Sequence, residues 1–277
     1  MVDEAVRGGR RRGMTLAVAV AVALVLTALC APPADAADPA NASATRGVLR
    51  IALEGTYPPF NFRDPKSGHL TGYDVDVARD LARRLKRQPQ FVLIEWSAIL
   101  PALSAGRVDV AVSQVIISPE REKAFDFSAP YLYSQFQLIV RKNERTNYRT
   151  LADLRGRKLG VRQGSVCEQK ARAVGEIEVK SYPAVPENLQ DLAFGRIDAV
   201  LDDGLHVNYL VRHTQLPLKA GARVGNGERV GIAMRKGQPQ FQHALDQALN
   251  EARADGTLRT LSLKWFGVGA SRTPPPR

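Results

Sequence analysis

Residues 108–121, VDVAVSQVIISPER, decide the fold of this 277-residue chain. The first five, Val108 to Val112, form an alternating strand pattern, and Ser118-Pro119-Glu120 is typical of a helix start with Ser at the N-cap and Pro at the first helical position. A strand is therefore followed by a helix. Because this order recurs on both sides of the stretch, it predicts an α/β fold with largely parallel sheets.

The alternation of strand and helix signals divides the chain into two units of the same kind. In the first unit, strands are predicted at 48–53 and 90–94, a Pro/Gly loop at 57–72, and helices from an Asp74 cap and at 99–104. In the second unit, strands are predicted at 158–161, 177–182 and 199–201, and helices from Ser165, at 186–194 and at 205–211. Two final helices are predicted at 239–254 and 257–266.

Two lone extended segments, 137–141 and 229–235, are predicted to be crossovers between two lobes. The last helices would then return to the first lobe. The predicted divisions are lobe 1 at 46–137 plus 233–268, lobe 2 at 138–232, and a disordered tail at 269–277.

Residues 1–36 are predicted to be a secretory signal peptide. Positive residues precede the 15-residue apolar stretch 15–29, and Ala34-Asp35-Ala36 is a small-x-small cleavage signal. Lipidation at Cys30 is the rival interpretation, although the small residue that usually precedes such a cysteine is missing. Cleavage would leave Cys167 as the single thiol and release the protein into the periplasm.

The charge balance is basic, with 39 Lys and Arg against 28 Asp and Glu, for a net charge of +11. These charges are scattered through the predicted folded part, so no nucleic-acid partner is expected. A hydrophobic content of 44% and a charged content of 24% are ordinary for globular proteins, which excludes a disordered, collagen-like or multi-span membrane protein.

Motifs for metal and nucleotide chemistry are missing from the sequence. It contains no H-E-x-x-H, no zinc-type cysteine pair, no Walker loop and no G-x-S-x-G, and its four histidines have no ligand-like spacing. We therefore expect no metal and no cofactor.

Polar and aromatic residues instead gather where predicted strands end. Glu54, Tyr57 and Phe60 follow the first strand and Trp96 the second, while 113–121 follow the third. Open α/β sheets bind ligands at these ends. Taken singly, Arg121 could be a solvated helix residue, and Tyr57 and Trp96 could belong to the core.

The second unit adds an anion site and an acidic site. Arg162-Gln163-Gly164-Ser165 ends a strand and opens a helix, whose free N–H groups suit a carboxylate. Asp202-Asp203 ends another strand, although Asp203 could simply cap the next helix. An anion site opposite an acidic site, lined by aromatic rings, is what a zwitterion requires.

From about Gly47 to Gly267 the chain resembles the bacterial extracellular solute-binding proteins of polar-amino-acid ABC importers (family 3). The motifs that carry the resemblance are EGTYPPF at 54–60, TGYDVD at 71–76, SPER at 118–121, FSAPY at 127–131, GRIDAV at 195–200 and KWFG at 264–267. The opening motif, Gln114-Val115 and the DGTL stretch at 255–258 look most like the cystine-binding branch.

The resemblance implies a type II periplasmic-binding-protein fold, with two α/β lobes joined by two extended hinge segments and an amino acid held between them. It implies that Arg121 binds the ligand α-carboxylate and Asp203 the α-ammonium, with Ser165 and nearby N–H groups, such as that of Val166, closing on the carboxylate. Tyr57, Phe60 and Trp96 would pack on the ligand, Glu54 and Arg162 would select its side chain, and Gln114 would complete the site. Where the family usually has Thr or Ser, this chain has Ile116.

The implied function is that of the periplasmic substrate-binding component of an ABC importer, a monomer that binds a polar L-amino acid, cystine being the leading candidate, and delivers it to a membrane permease. The main alternative is a cyclohexadienyl (prephenate/arogenate) dehydratase on the same scaffold, with Glu168 as general acid. Because Glu168 also suits the first turn of a helix, we favour a binding protein without catalysis.

Overall fold

The computed structural model describes residues 47–271, so the predicted signal peptide and residues 272–277 of the predicted tail lie outside it. The strands are β1 (Val48–Leu53), β2 (Thr56–Tyr57), β3 (Asn61–Arg63), β4 (Leu70–Thr71), β5 (Gln88–Leu93), β6 (Val110–Ala111), β7 (Phe125–Phe127), β8 (Leu132–Arg141), β9 (Lys158–Arg162), β10 (Glu178–Tyr182), β11 (Ala199–Asp203), β12 (Leu218–Val230) and β13 (Ala233–Arg235). The helices are α1 (Tyr73–Arg84), α2 (Trp96–Ser104), α3 (Pro119–Ala124), α4 (Val166–Val174), α5 (Val185–Ala193), α6 (Gly204–His213), α7 (Pro239–Ala254) and α8 (Thr257–Phe266), with a 3₁₀ turn at Leu151–Leu154.

Two five-stranded sheets organise the described residues, and we call the parts built on them lobe 1 and lobe 2. The sheet of lobe 1 has the order β5-β1-β6-β13-β7, and that of lobe 2 the order β10-β9-β11-β8-β12. Both confirm the α/β prediction. Ile51, Ala52 and Leu53 are fully buried on β1, as expected for a central strand that is covered on both faces.

The sheets are mixed rather than largely parallel, which corrects the sequence-based expectation. β1 runs parallel to β5 and β6, but β13 is antiparallel to β6 and β7. Likewise, β9 is parallel to β10 and β11, while β8 is antiparallel to β11 and β12. The reason is connectivity: β8 and β13 enter their sheets from the other lobe, without the helical crossover that makes neighbouring strands parallel.

The chain passes between the sheets at 128–131 and returns at 231–232. The second passage lies inside the predicted crossover 229–235. The first lies before the predicted crossover 137–141, because those residues pair within the sheet of lobe 2. A long continuous strand gives no sequence signal for the point at which it leaves one sheet and joins another. The exact lobe boundaries remain a prediction.

Two local expectations also need correction. The predicted loop 57–72 contains a small antiparallel sheet, β2-β3-β4, whose strands are too short to show an alternating pattern. Helix α1 is capped by Gly72 rather than by Asp74, which is buried in its first turn. Gly72 has φ 126°, and a Cβ there would stand 2.2 Å from the carbonyl oxygen of Phe60, so only glycine fits.

Candidate binding site

A small cavity of about 40 Å³ lies between the lobes, where β6, β9 and β11 end. Nine of the predicted site residues line it, namely Tyr57, Trp96, Gln114, Ile116, Arg121, Arg162, Ser165, Val166 and Asp203. Five further residues complete its wall, namely Ser113, Phe136, Cys167, Leu201 and Asp202. The strand ends therefore converge as the sequence indicates.

Arg121 brings a positive charge to the lobe 1 side of the cavity. It stands in the first turn of α3, whose N-cap Ser118 accepts a hydrogen bond from the Arg121 N–H. Its Nη1 donates to the carbonyl oxygen of Ile116 at 3.0 Å, and its guanidinium lies 5.3 Å from the ring centre of Trp96. Burial lowers the pKa of Arg121 to about 10, which still leaves it charged at neutral pH. Ile116 thus orients the arginine through its backbone carbonyl group.

Asp203 brings a carboxylate to the lobe 2 side. It ends β11 and also caps α6, since its Oδ1 accepts from the N–H groups of Leu205 at 2.8 Å and His206 at 3.3 Å. Its Oδ2 accepts from Gln114 Nε2 of lobe 1 at 3.1 Å. Burial, reinforced by the charge of Asp202, raises the pKa of Asp203 to about 6 against hydrogen bonds that act to lower it. Asp203 therefore caps a helix and also forms part of the cavity wall.

The residue before it, Asp202, joins the lobes through Tyr57. The Tyr57 hydroxyl donates to Asp202 Oδ1 at 2.8 Å, and His206 Nδ1 lies 2.8 Å from Asp202 Oδ2. Burial acts to raise the pKa of Asp202, but His206 and the hydrogen bonds outweigh it and hold that pKa below its usual range. Sequence reasoning placed Asp202 in an acidic strand end but gave the ammonium-binding role to Asp203 alone. The i, i+4 spacing of Asp202 and His206 across a helix start was the available signal.

A second charged pair joins the lobes beside the aromatic rings, with Arg162 on the cavity wall and the predicted site residue Glu54 off it. Arg162, at the end of β9, forms an ion pair with Glu54 of lobe 1. Its guanidinium lies 5.0 Å from the ring centres of both Tyr57 and Trp96, in cation–π contact with each. Arg162 is only 8% exposed, so this charge is almost entirely withdrawn from water.

Gln114 is held in an unusual backbone conformation by a buried support. Its φ of 53° lies in the left-handed region, which few residues other than glycine adopt. Its backbone hydrogen-bonds to Asp74, whose carboxylate also accepts from Asn61 Nδ2 at 2.9 Å and from the Tyr131 hydroxyl at 2.8 Å. Asp74, predicted as a helix cap, instead anchors the loop that aims Gln114 at Asp203.

The start of α4 completes the wall from lobe 2. Gly164, with φ 70°, allows the turn after β9, and Ser165 caps the helix by accepting from the Glu168 N–H. The Glu168 carboxylate accepts from the Gly164 N–H at 2.7 Å, from Ser181 Oγ at 2.6 Å and from Arg172. Partial burial acts to raise the pKa of Glu168, but these hydrogen bonds outweigh it and lower that pKa. Glu168 is therefore engaged in supporting the turn and does not line the cavity.

Phe60 lies behind the cavity rather than on its wall. It is fully buried, with its ring 5.3 Å from Tyr57 and 5.4 Å from Phe266. It therefore supports the ring of Tyr57 from the core of lobe 1.

Comparison with known proteins now identifies the family. Residues 49–268 match the family described as "Bacterial extracellular solute-binding proteins, family 3". The chain belongs to this family. It is 40% identical to the L-cystine-binding protein TcyJ of Escherichia coli (strain K12) over 228 residues, which covers 82% of this chain and 85% of TcyJ.

Solved structures of the same solute-binding architecture agree with the two-lobed fold. An ancestral arginine-binding protein bound to arginine is 36% identical and matches with a TM-score of 0.75, covering 80% of this chain and 99% of that chain. An ancestral amino-acid-binding protein, AncCDT-1, a precursor of cyclohexadienyl dehydratase, is 31% identical with a TM-score of 0.75, covering 83% and 100%. Both of these solved structures are of amino-acid-binding proteins.

Two further observations concern membrane-spanning helices and metal sites. Within residues 47–271, no helix is both long and apolar enough to span a membrane. In the same residues, no group of three or more His, Cys, Asp or Glu side chains could hold a metal ion.

Proposed function

We propose that this chain is the exported substrate-binding component of an amino-acid ABC importer. It binds a polar L-α-amino acid, with L-cystine as the leading candidate, in the cleft between the lobes, whose cavity of about 40 Å³ must widen to admit it, and presents it to a membrane permease. The signal peptide at 1–36 and a periplasmic, monomeric mature protein are part of this proposal. The similarity to an L-cystine-binding protein over most of both chains supports it.

The observation that carries the proposal is the placement of Arg121 and Asp203 on opposite lobes around one buried cavity. The guanidinium of Arg121 can meet a carboxylate with two parallel hydrogen bonds, and Asp203 can accept from an ammonium group. The free N–H groups at the start of α4 add donors toward the same carboxylate. Such a pair binds the head group that all α-amino acids share.

The test starts from the full-length chain, exported and purified. Intact mass should correspond to a chain that begins near Ala37, with one alkylatable thiol at Cys167. A thermal-shift screen against amino acids, L-cystine and prephenate then identifies the ligand. A ligand at 100 times its Kd should stabilise the protein by about 2.7 kcal/mol. A lipid-modified Cys30 would contradict the proposed cleavage.

Calorimetry on variants then tests whether Arg121 and Asp203 together hold the ligand's α-carboxylate and α-ammonium groups. We call this pair of residues the head-group clamp. Arg121→Lys keeps the charge but not the paired hydrogen bonds, so we expect weaker binding, and still weaker binding for Arg121→Ala and Asp203→Asn. Removing one partner of a buried charge pair costs roughly 2–5 kcal/mol, or about 30-fold to several-thousand-fold in Kd. Arg155→Ala, on the lobe 2 surface, is the matched control. Binding within threefold of wild type by both Arg121→Ala and Asp203→Asn would rule out the clamp.

A binding protein should also leave prephenate and arogenate unchanged. The Glu168 carboxylate has a lowered pKa and accepts four hydrogen bonds, so it is poorly suited to donate a proton. Formation of an aromatic product that disappears in Glu168→Gln would instead support the dehydratase alternative.

A further inference from the structure

A second pair of opposite charges lies at the cavity, separate from Arg121 and Asp203. Arg162 of lobe 2 lines the cavity and is ion-paired with Glu54 of lobe 1. This arrangement has the same composition as the proposed head-group clamp, with one guanidinium and one carboxylate contributed by opposite lobes. Of this second pair, Arg162 lines the cavity wall, and Glu54 adjoins the cavity through its ion pair with Arg162.

Arg162 has a buried hydrogen-bond donor that lacks an acceptor. Arg162 is more than nine-tenths buried, yet its Nε has no hydrogen-bond partner. A buried guanidinium donor without an acceptor is unfavourable, because it has lost water and gained nothing in exchange. The guanidinium carbon lies 5.0 Å from the ring centres of Tyr57 and Trp96, so aromatic rings border the group and supply no acceptor to its Nε, which a ligand carboxylate could provide.

The spacing of the two guanidinium groups limits what can bridge them. Arg121 and Arg162 lie 5.3 Å and 5.0 Å from the same Trp96 ring centre, so they are at most about 10 Å apart. In a disulfide-linked pair of amino acids the two α-carbons are usually about 4.4–6.8 Å apart. A ligand of that length can therefore bring one carboxylate to each arginine.

We infer that Glu54 and Arg162 form a second head-group site, so that the ligand is an amino acid with an α-amino-acid group at both ends. Arg162 binds the distal carboxylate and Glu54 the distal ammonium. This inference rests on the proposed function, because Arg121 and Asp203 hold the first head group. A ligand with a single cationic side chain, such as arginine, would bring its charge against Arg162 and is disfavoured.

The test compares ligands with two head groups and with one. Calorimetry on the purified exported protein uses L-cystine, L-cystathionine, S-methyl-L-cysteine and L-arginine. L-Cystathionine keeps both head groups but replaces the disulfide by a thioether linkage, so it separates recognition of the ends from recognition of sulfur–sulfur chemistry. We expect wild type to bind the two-headed ligands at least tenfold more tightly than S-methyl-L-cysteine or L-arginine.

Neutral variants assign this preference to the two residues. In Arg162→Gln and Glu54→Gln, the ratio of affinities for L-cystine and S-methyl-L-cysteine should fall at least tenfold, whereas Arg155→Gln should keep the wild-type ratio. A ratio within threefold of wild type in Arg162→Gln would overturn the second site and identify Glu54–Arg162 as a contact that only holds the lobes together. Failure of the proposed function is distinct, since wild type would then bind none of the four ligands.

Discussion

Ligand binding should weaken steeply below about pH 6, because Asp203 must be ionised to accept a ligand ammonium. Burial and the neighbouring Asp202 raise the pKa of Asp203 to about 6. At pH 5 only about one in ten of these carboxyl groups is ionised in the ligand-free protein. Binding at pH 5 must therefore expel a proton, and we expect Kd to be about tenfold higher there than at pH 7.5.

The stability of the ligand-free protein should change in the opposite direction through the same group. The folded-state pKa of about 6 lies above that of an aspartate in the unfolded chain, so between about pH 4 and pH 6 the folded state holds more protons. The contribution of Asp203 to the free energy of unfolding is therefore greatest below pH 4 and falls by about 1.4 kcal/mol per pH unit up to pH 6. Above pH 6 it is constant.

The assay is calorimetric titration of the screened ligand at pH 5.0, 6.0 and 7.5 at fixed ionic strength. Asp203→Asn is the control, because an amide cannot titrate, so the pH dependence of its Kd should be nearly flat. Denaturation of ligand-free wild type and Asp203→Asn at the same pH values measures the stability difference. Wild-type Kd values within twofold across this range would refute the reasoning, as would an equal pH dependence in Asp203→Asn, which would point to Asp74 instead.

Other perturbations test the closed cleft and its supports. Cys167 lines the cavity at 6% exposure and burial raises its thiol pKa, so alkylation should be slow and slower still with ligand, as followed by mass spectrometry. Tyr57→Phe removes the hydrogen bond to Asp202, worth about 1.5–3 kcal/mol for a charged acceptor, and should increase the radius of gyration in solution scattering. Phe60→Ala should lower the free energy of unfolding by about 3–5 kcal/mol in denaturant titration. Glu168→Gln should leave the ligand Kd within threefold, because its carboxylate supports the turn without lining the cavity.

Sequence reasoning located the elements with strong periodic or capping signals. Helix α7 was predicted at 239–254 and α8 at 257–266, and both are confirmed, as is β1. Ser118 and Ser165 cap the predicted helices. The small sheet β2-β3-β4 was missed because two or three residues are too few for a pattern of alternation.

The sequence made it possible to predict which strand ends meet at the site. It did not make it possible to predict which side chains hydrogen-bond to each other there. Placing Arg121, Arg162 and Asp203 around one cavity requires only the rule that ligands bind beyond the carboxyl ends of strands. The partners of Asp74 depend on contacts between residues 13 and 57 positions apart, which no local pattern encodes. The Tyr57–Asp202 hydrogen bond joins residues 145 positions apart and is equally beyond sequence reasoning.

The strand β8, which pairs with β12 along its length apart from two register shifts, makes lobe 2 a lever arm. Leu132 pairs with Val230 at the passage between the sheets, and four residues farther along β8, Phe136 pairs with Asp203. At about 3.3 Å per residue, Asp203 sits on the order of 13 Å from this pivot. Arg162 ends β9, two strands from β8, whereas Asp203 on β11 is one strand from it, so Arg162 lies roughly 5 Å farther across the sheet. A rotation that opens the cleft therefore sweeps Arg162 through a longer arc than Asp203, so the entrance widens on the Arg162 side while the end near the pivot stays narrow.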